Sequence, residues 1–537
     1  MKWVVKSLSK YSWMAIVSIL CGAIFTFAEV SFLSLISDSI NNAEAVNIES
    51  GFLLVLLVFG SGFLTKLLLD ILSEYFSFNI HYQLTKSLND CNYALMEKIG
   101  GARAYAALTR DMDVLQQGMR IIPELLLNFL IILGVLIYFS IQSLTGLLHY
   151  SFFLLIAVCV AFLMNHYVSG HLQNVREKID HLHLLYHELF NGAMEVKLSA
   201  ARQHWLMNKS LSNTLLAIRR KRLKIAWLDA FNLNWGHCIT LTLLLSLLWI
   251  PEWFFGEQGQ DHQSGFILAT LFLISPITTV LEYIPKAIES VISLKRVLPL
   301  ATLPAQKGAH YSLNDKVYLT KAAYQYPNEE RRIGLMDLQL SPGQLVFIVG
   351  GNGAGKSTLI KMLSGLYPLS SGQRQLGNKI LHKDDMLSCA LVRPSPYIFE
   401  RVIDEKGEIA DVEIVNQRLS QLKLNEKVSY QQGRLSQVKL SQGQMKRLAL
   451  LQALVSGEQL LLLDEFAADQ DPSFRRYFYK ELLPALKKEG RTIIAITHDE
   501  TYFSDADRVL KMVDGQLIEY SLWEKTNAET CRLECSN

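Results

Sequence analysis

Long apolar segments dominate the first 300 residues of the chain. A helix needs about 20 apolar residues to cross the hydrocarbon core of a bilayer, and six segments reach that length. They lie near residues 11–36, 51–73, 121–143, 147–168, 227–250 and 265–291. The sixth is the weakest, because Pro276 and Pro285 interrupt it and Glu282 lies inside it. The pattern predicts an α-helical membrane domain with six transmembrane helices.

Basic residues alternate between the connections of these segments. The connections at 37–50, 144–150 and 251–264 contain no Lys or Arg, whereas 74–120 and 169–226 are rich in them. Because positively charged loops stay in the cytoplasm, both termini are predicted to be cytoplasmic. The long basic connections also show helical periodicity, so the helices are expected to continue beyond the membrane.

The pattern changes after the sixth segment. Beyond Pro304, short strand-like runs alternate with helical stretches, which is typical of an α/β domain. We therefore expect a transmembrane domain over residues 1–304 and a second domain over 305–537. The whole chain of 537 residues is 50% hydrophobic and 19% charged, against about 25% charged in soluble proteins. Its net charge of +2 gives no general basic field, so no nucleic-acid partner is predicted.

A phosphate-binding motif opens the core of the second domain. The apolar run 345–349 leads into a match to G-x-x-x-x-G-K-[ST], and a helical stretch follows it. Backbone N–H groups of such a loop wrap phosphates, Lys356 would reach the β- and γ-phosphates, and Ser357 would hold Mg²⁺. The predicted nucleotide-binding residues of the loop are Gly350, Gly351, Asn352, Gly353, Ala354, Gly355, Lys356, Ser357 and Thr358.

Two adjacent carboxylates follow another apolar strand, at 460–463. In a nucleotide hydrolase this arrangement puts one carboxylate on the metal side and the other beside the attacking water. Asp464 is therefore the predicted metal ligand, with Ser357, and Glu465 the predicted general base.

These motifs, together with Leu440-Ser441-Gln442-Gly443-Gln444 before a helix, resemble the ATP-binding cassette (ABC) family. The resemblance implies ATP as the nucleotide. In that family a Ser and a Gly of this signature contact the γ-phosphate of ATP held by the other subunit. That role would fall to Ser441 and Gly443, flanked by Gln442 and Gln444; Gln442 replaces the usual first Gly.

The resemblance implies further site residues. Ala468-Asp469-Gln470-Asp471 lies where the family has its D-loop, and Asp471 is counted with the nucleotide site. His498 lies where the family has its catalytic switch histidine, and Tyr326 matches the aromatic residue that stacks on adenine. One motif departs from the pattern, because Pro394 occupies the place of the family's coupling glutamine.

Six spans followed by one cassette resemble the exporters of this family over nearly the whole chain. The segments 101–109, 192–198 and 464–472 are similar to those of bacterial cyclic-peptide and siderophore-peptide exporters in Gram-negative inner membranes. This implies a multi-pass inner-membrane protein, surrounded by lipid, that exports a peptide-type cargo by alternating access. One cassette per chain implies a homodimer.

Other functions stay open at this point. A lipid or general drug exporter has the same architecture, and cassettes also occur in regulatory and nucleic-acid-handling ATPases. Six spans within the chain argue against the latter, and importers usually carry their cassettes on separate chains.

Ionisable residues inside the spans are candidates for contact with cargo. Lys66 and Asp70 are four residues apart and are expected to neutralise each other. Glu29 and Glu282 have no evident partner in their own spans, so a cavity lined by them would favour a cationic or hydrogen-bonding cargo. Glu124 and Asp229 lie near span ends and are expected to be interfacial.

Overall fold

The computed structural model describes residues 12–42, 48–255, 263–326 and 332–520. Parts of the expected outer connections, at 43–47 and 256–262, and residue 11 of the first expected span lie outside the described residues. Contacts divide the described chain into two compact units. The first contains the residues up to Asn89 and Gly101–Leu303, and the second contains Asp90–Gly100 and the residues from Pro304 onward.

All regular structure in the described residues of the first unit is helical. Six of its described helical segments are long and apolar enough to cross a membrane: Ser12–Ile40, Ile48–Asp90, Gly101–Gln142, Leu144–Met164, Ala200–Trp249 and Gln263–Ala301. The helices of this unit are α1 Ser12–Asn42, α2 Ile48–Asp90, α4 Gly101–Ala106, α5 Met112–Gln142, α6 Leu144–Asn191, α7 Ala193–Leu198, α8 Ala200–His204, α9 Ser212–Trp249, α10 Pro251–Phe255 and α11 Gln263–Ala301, with α3 Tyr93–Ile99 in the second unit. Two π-helical turns, Ala107–Asp111 and Trp205–Leu211, join α4 to α5 and α8 to α9.

Helical structure continues through the basic connections, as predicted. α2 extends for 43 residues and α6 for 48, which is about twice the length that a bilayer requires. The sixth segment is a single helix of 39 residues although Pro276 and Pro285 lie inside it. Pro276 is buried against neighbouring helices, and in such a setting the freed carbonyl groups can be satisfied locally.

Aromatic packing holds the apolar helices together. Phe139 of α5 is fully buried and stacks on Phe266 of α11, with the ring centroids 4.2 Å apart. Tyr150 of α6 also packs against Phe139, with the ring centroids 4.8 Å apart. Because lipid is as apolar as these side chains, close packing and not exclusion from water stabilises the bundle.

The ion pairs within the spans differ from those expected. Lys66 pairs with Glu124 of α5 at 3.5 Å, so the expected neutralisation by Asp70 was wrong. Glu282, expected to have no partner in its span, pairs with Lys286 one turn later at 2.8 Å. Sequence spacing favoured the pair at i and i+4 in the first case, but a residue on a neighbouring helix is nearer. Glu29 keeps one buried carboxylate oxygen without a hydrogen-bond partner.

The second unit is an α/β domain with two main sheets. A six-stranded sheet has the order β14-β13-β4-β12-β11-β8, and a four-stranded antiparallel sheet has the order β3-β2-β5-β6. Its strands are β1 His310–Tyr311, β2 Val317–Gln325, β3 Arg332–Leu340, β4 Leu345–Gly350, β5 Ser371–Leu376, β6 Lys379–Ile380, β7 Met386–Leu387, β8 Cys389–Val392, β9 Tyr430–Gln431, β10 Arg434–Leu435, β11 Leu460–Asp464, β12 Thr492–Ile496, β13 Arg508–Val513 and β14 Gln516–Glu519. Its further helices are α12 Lys356–Ser364, α13 Val412–Gln421, α14 Gln442–Val455, α15 Pro472–Tyr477 and α16 Leu483–Lys488.

The fold class predicted from the sequence is confirmed in both halves. The strands β4, β11 and β12 are buried along their whole length, apart from the last residue of β4. Strands that are covered on both faces consist of unbroken apolar runs. This explains why apolar and polar residues do not alternate in these segments of the sequence.

The short helix α3 belongs to the second unit although it lies between two apolar helices in the sequence. Its Glu97 accepts hydrogen bonds from the hydroxyl of Tyr367 and from Lys361 Nζ, the latter at 3.1 Å. Tyr93 packs its ring against Tyr367, with the ring centroids 6.4 Å apart. Polar and aromatic contacts thus hold α3 within the second unit.

Candidate nucleotide-binding and hydrolysis site

Three neighbouring parallel strands bring the predicted motifs to one edge of the sheet. β12 pairs with β4 on one side, where Ile496 lies opposite Ile348, and with β11 on the other, where Ile496 lies opposite Asp464. Parallel strands end at the same edge, so the loops after them meet. The phosphate loop follows β4, and His498 lies after β12. Of the two carboxylates, Asp464 is the last residue of β11 and Glu465 follows it.

The phosphate loop is shaped by its glycines. Gly355 has φ of 110° and caps the start of α12, a left-handed conformation that favours glycine. Lys356 is buried, and its Nζ donates to the carbonyls of Gly350 at 2.6 Å and Gly351 at 3.1 Å. Burial lowers the pKa of Lys356, while the carboxylates of Glu465 and Asp464 oppose that shift. The ammonium group is therefore held at the loop with little water around it.

Ser357 and Asp464 meet as the metal prediction requires. Ser357 Oγ donates to Asp464 Oδ2 at 2.9 Å. Asp464 is 7% exposed, and burial raises its pKa although the Ser357 hydrogen bond and Lys356 oppose the shift. A desolvated carboxylate next to a hydroxyl oxygen is the type of donor set that Mg²⁺ prefers alongside phosphate and water.

Glu465 has an unusual backbone conformation next to the histidine. Its φ is 50° and its ψ 42°, in the left-handed region that non-glycine residues rarely adopt and that often marks a functional site. Its Oε1 lies 3.8 Å from His498 Nε2. The structure thus places both predicted catalytic side chains together at the edge of the sheet.

Lys446 is a site residue that the sequence analysis missed. It lies on α14, is 1% exposed, and its Nζ donates to the carbonyl of Glu465 at 2.6 Å. The same Nζ forms an ion pair with Asp469 at 2.5 Å. A lysine among the apolar positions of this helix was the available signal, since a buried lysine requires partners.

The signature segment is joined to the D-loop. Gly443 approaches Asp469 so closely that a Cβ atom would lie 2.3 Å from its carbonyl oxygen, so only glycine fits. Gln470 donates from its amide to the Gly443 carbonyl at 3.0 Å and accepts from Arg447 Nε at 2.7 Å. Ser441 and Gln442 are exposed at the start of α14, with Gln444 half-buried beside them.

Asp471 is the N-cap residue of α15. Its Oδ1 accepts from Ser473 Oγ and from the backbone N–H of Phe474, and its Oδ2 accepts from Arg447 at 2.6 Å. The hydrogen bonds from Ser473 and Phe474, followed by Arg447, hold the pKa of this carboxyl well below its usual range. A direct contact of Asp471 with nucleotide stays a prediction.

Tyr326 lies beside the phosphate loop helix. Its hydroxyl is 2.7 Å from Thr358 Oγ1, and its ring meets those of Tyr324 and Tyr367 edge to face. The half-buried ring is thereby held near the start of α12. Stacking of this ring on a base stays a prediction.

A cavity of about 550 Å³ borders the phosphate loop. Besides residues 351–354, it is lined by Arg332 of β3 and by Lys511 and its neighbours on β13. The sequence analysis did not single out these two cations, because they lie about 20 and 160 residues away from the motif and come near it only in the folded sheet.

Pro394 lies just beyond β8, the edge strand that pairs with β11. It is exposed and follows the last residue of β8, Val392, by two positions. The place of the coupling glutamine is therefore near the strand that carries Asp464, but it offers neither a side-chain amide nor a backbone N–H.

Comparisons with known proteins agree with this geometry. The sequence profile of the family described as "ABC transporter" matches residues 334–468. The chain is 28% identical to "ATP-binding protein SyrD" of Pseudomonas syringae pv. syringae, over 95% of this chain and 94% of that protein.

Other relatives match over shorter stretches. The "ATP-dependent lipid A-core flippase" of Acinetobacter baylyi is 26% identical over 52% of each chain. The "Macrolide export ATP-binding/permease protein MacB 1" of Yersinia pestis bv. Antiqua is 32% identical over 34% of this chain and 30% of the relative.

The cassette geometry, the six apolar helices that precede it and these similarities lead to one assignment. The chain has the architecture of an ABC exporter, a half-transporter in which a nucleotide-binding domain of the ABC transporter family hydrolyses ATP to drive transport.

Proposed function

We propose that this ABC exporter moves a peptide-type cargo, such as a cyclic peptide or a siderophore precursor, across the cytoplasmic membrane. The similarity of segments 101–109, 192–198 and 464–472 to those of cyclic-peptide and siderophore-peptide exporters carries the proposal. The match to SyrD supports an exporter of this architecture, because it extends over nearly the full length of both chains. That match includes both the membrane half and the cassette, whereas the flippase match covers 52% of this chain and the MacB match 34%. The three segments that resemble cyclic-peptide exporters lie in both halves.

A lipid or drug exporter is the second candidate. It is favoured by the names of the partial relatives, one a lipid A-core flippase and the other a macrolide exporter. Because the membrane half determines which cargo fits, only measurements on cargo distinguish these candidates.

In the proposed orientation both termini and the cassette are cytoplasmic and the membrane half is surrounded by lipid. Two chains form a homodimer, in which ATP binding closes the cassettes and turns the cavity outward, and hydrolysis resets it. The residues from Gly350 to Thr358, with Tyr326, would bind ATP, and Ser357 and Asp464 would hold Mg²⁺. When bound, Mg²⁺ neutralises charge on the phosphates. Glu465 accepts the proton of the attacking water. His498 orients the γ-phosphate.

The cargo is tested by deleting the gene in its own host and comparing cell-associated and secreted molecules by mass spectrometry. We expect at least one peptide to be lost from the medium and to return with the intact gene, but not with the Glu465→Gln variant. Purified protein in lipid vesicles should hydrolyse ATP faster when that peptide is added. Unchanged peptides together with a misplaced lipid would favour the second candidate.

The role of Glu465 is tested by Glu465→Gln. The amide keeps the shape of the site but cannot take a proton from water, so the turnover of ATP should fall about 10²- to 10⁴-fold while ATP still binds. Steady-state ATPase activity and ATP binding of the purified protein measure this. Glu426→Gln, at an exposed position of the same domain, is the matched control. Near-normal turnover in Glu465→Gln would remove this residue from the mechanism.

Pro394→Gln tests whether coupling depends on this loop position. Because the proline is exposed and supplies no donor, Ser357 and Asp464 must hold the metal without it, and the substitution should be tolerated. ATPase activity and cargo secretion should stay within about twofold of the wild-type values, as for Ser395→Gln next to it. Loss of secretion with retained ATPase activity, in Pro394→Gln alone, would reveal a specific coupling role of the proline.

The homodimer with composite sites is tested by mixing two inactive variants. Ser441→Arg places a bulky cation in front of the partner's γ-phosphate, and since Ser441 is exposed its own domain should tolerate the change. Lys356→Ala removes the phosphate-loop cation of its own chain. Each variant alone has no intact site. In mixed dimers both lesions fall on one site and the other is intact, so ATPase activity should partly return.

Pull-down with two different tags verifies that mixed dimers form. Recovery approaching half of the wild-type rate per mixed dimer is the expected upper value if the two sites act independently. Mixed dimers without any activity would mean that the sites are obligatorily coupled or that each is built within one chain.

A further inference from the structure

A buried tyrosine is hydrogen-bonded to the residues on both sides of His498. Tyr479 is 1% exposed, and its hydroxyl lies 2.5 Å from Thr497 Oγ1 and 3.0 Å from Asp499 Oδ2. Thr497 and Asp499 are the two residues that flank His498. One buried hydroxyl therefore contacts both neighbours of a predicted catalytic residue.

The local backbone explains how Tyr479 reaches this position. It lies in a π-helical turn, Phe478–Leu482, between α15 and α16. Pro484 has no N–H to donate to the carbonyl of Lys480, so a regular α-helical bond is missing next to this turn. π-helical turns of this kind occur frequently at functional sites. The ring is fixed by stacking on Tyr502 at 4.3 Å and by an edge contact with Phe347 at 5.7 Å.

The number of available hydroxyl hydrogens decides which of Tyr479, Thr497 and Asp499 donates and which accepts. Asp499 can only accept, so the Tyr479 hydroxyl donates to it and must accept from Thr497. Thr497 Oγ1 in turn accepts from the backbone N–H of Asp499 at 3.0 Å. Burial raises the pKa of Tyr479, which keeps its hydroxyl protonated and able to donate. In this arrangement Tyr479, Thr497 and Asp499 each have a hydrogen-bond partner.

The same group extends to the D-loop. Asp499 Oδ1 lies 3.6 Å from Arg475, and Arg475 donates to the carbonyls of Ala468 at 3.4 Å and Gln470 at 3.5 Å. The segment that carries His498 and the D-loop are therefore held by one set of contacts around Tyr479 and Arg475.

We propose that Tyr479 is a positioning residue for ATP hydrolysis, which holds His498 in place opposite Glu465 through Thr497 and Asp499. The side chain of His498 is 53% exposed, so its position depends on the segment that carries it, and Tyr479 contacts the side chains of both neighbours in that segment. The inference rests on the catalytic role proposed for His498.

Tyr479→Phe removes the hydroxyl and keeps the ring. Catalytic side chains that are displaced by about 1 Å can cost up to 10² in rate, and we expect kcat for ATP to fall about 10-fold. The KM for ATP should stay within about twofold, because the phosphate loop and Tyr326 are not part of this group. A general loss of structure would change both constants and weaken ATP binding.

Tyr477→Phe is the matched control. It lies on the preceding helix, and the substitution removes one hydroxyl hydrogen bond, to the carbonyl of Gln421 at 3.1 Å, which involves neither neighbour of His498. We expect wild-type ATPase activity from this variant. Equal losses of kcat in the two variants would assign a merely structural role to Tyr479.

Asp499→Asn, alone and combined with Tyr479→Phe, tests whether the two residues act through one contact. The combined loss of kcat should be clearly smaller than the product of the single losses, since contacting residues do not act independently. A combined loss of kcat equal to the product of the single losses would mean that the two residues act independently, and it would overturn the shared role.

His498→Ala in parallel separates this inference from the site assignment. An inactive His498→Ala together with a wild-type kcat in Tyr479→Phe would overturn only the positioning role. An active His498→Ala would overturn the assignment of His498 and, with it, this inference.

Discussion

The pairing of β12 between β4 and β11 is the constraint on which the site depends. The pairing continues past the strand ends, where Thr497 N–H donates to Ile348 and Glu465 N–H donates to Ile496, at 3.1 and 3.2 Å. All three strands are buried on both faces, so a shift of register by one residue would reverse which side chains face each layer of the core. This fixed register sets the phosphate loop, the two carboxylates and His498 against one another.

Burial also leaves two charged groups of the site poorly solvated. Lys356 and Asp464 lie close together, and burial disfavours the charged form of each, lowering the pKa of the lysine and raising that of the aspartate. Phosphate and a metal ion restore to these groups the interactions that they lose on leaving water. Charge that is poorly solvated before binding is thus well placed to interact strongly with the triphosphate and its cation.

Buried polar contacts turn separate loops into one assembly. Lys446 ties α14 to Glu465 and Asp469, and Gln470 ties Gly443 to the D-loop. In a composite site the signature and the D-loop would both face the other chain, so they would move together. Glu97 contacts Lys361 of the phosphate-loop helix and Tyr367, whose ring meets that of Tyr326.

The sequence by itself determined the six apolar helices and the α/β class of the second half, and it predicted the phosphate loop, Asp464 and Glu465 as site residues; the prediction for His498 came from the family resemblance. Those features are local: apolar length, unbroken strand runs and short motifs are all read within a few tens of residues. Only the tertiary structure decided the partners of Lys66 and Glu282, the role of Lys446, the cap at Asp471 and the packing of residues 90–100 with the cassette. These depend on side chains that are distant in sequence and meet through helix packing and sheet order, and spacing along one helix does not reveal which neighbour is nearer.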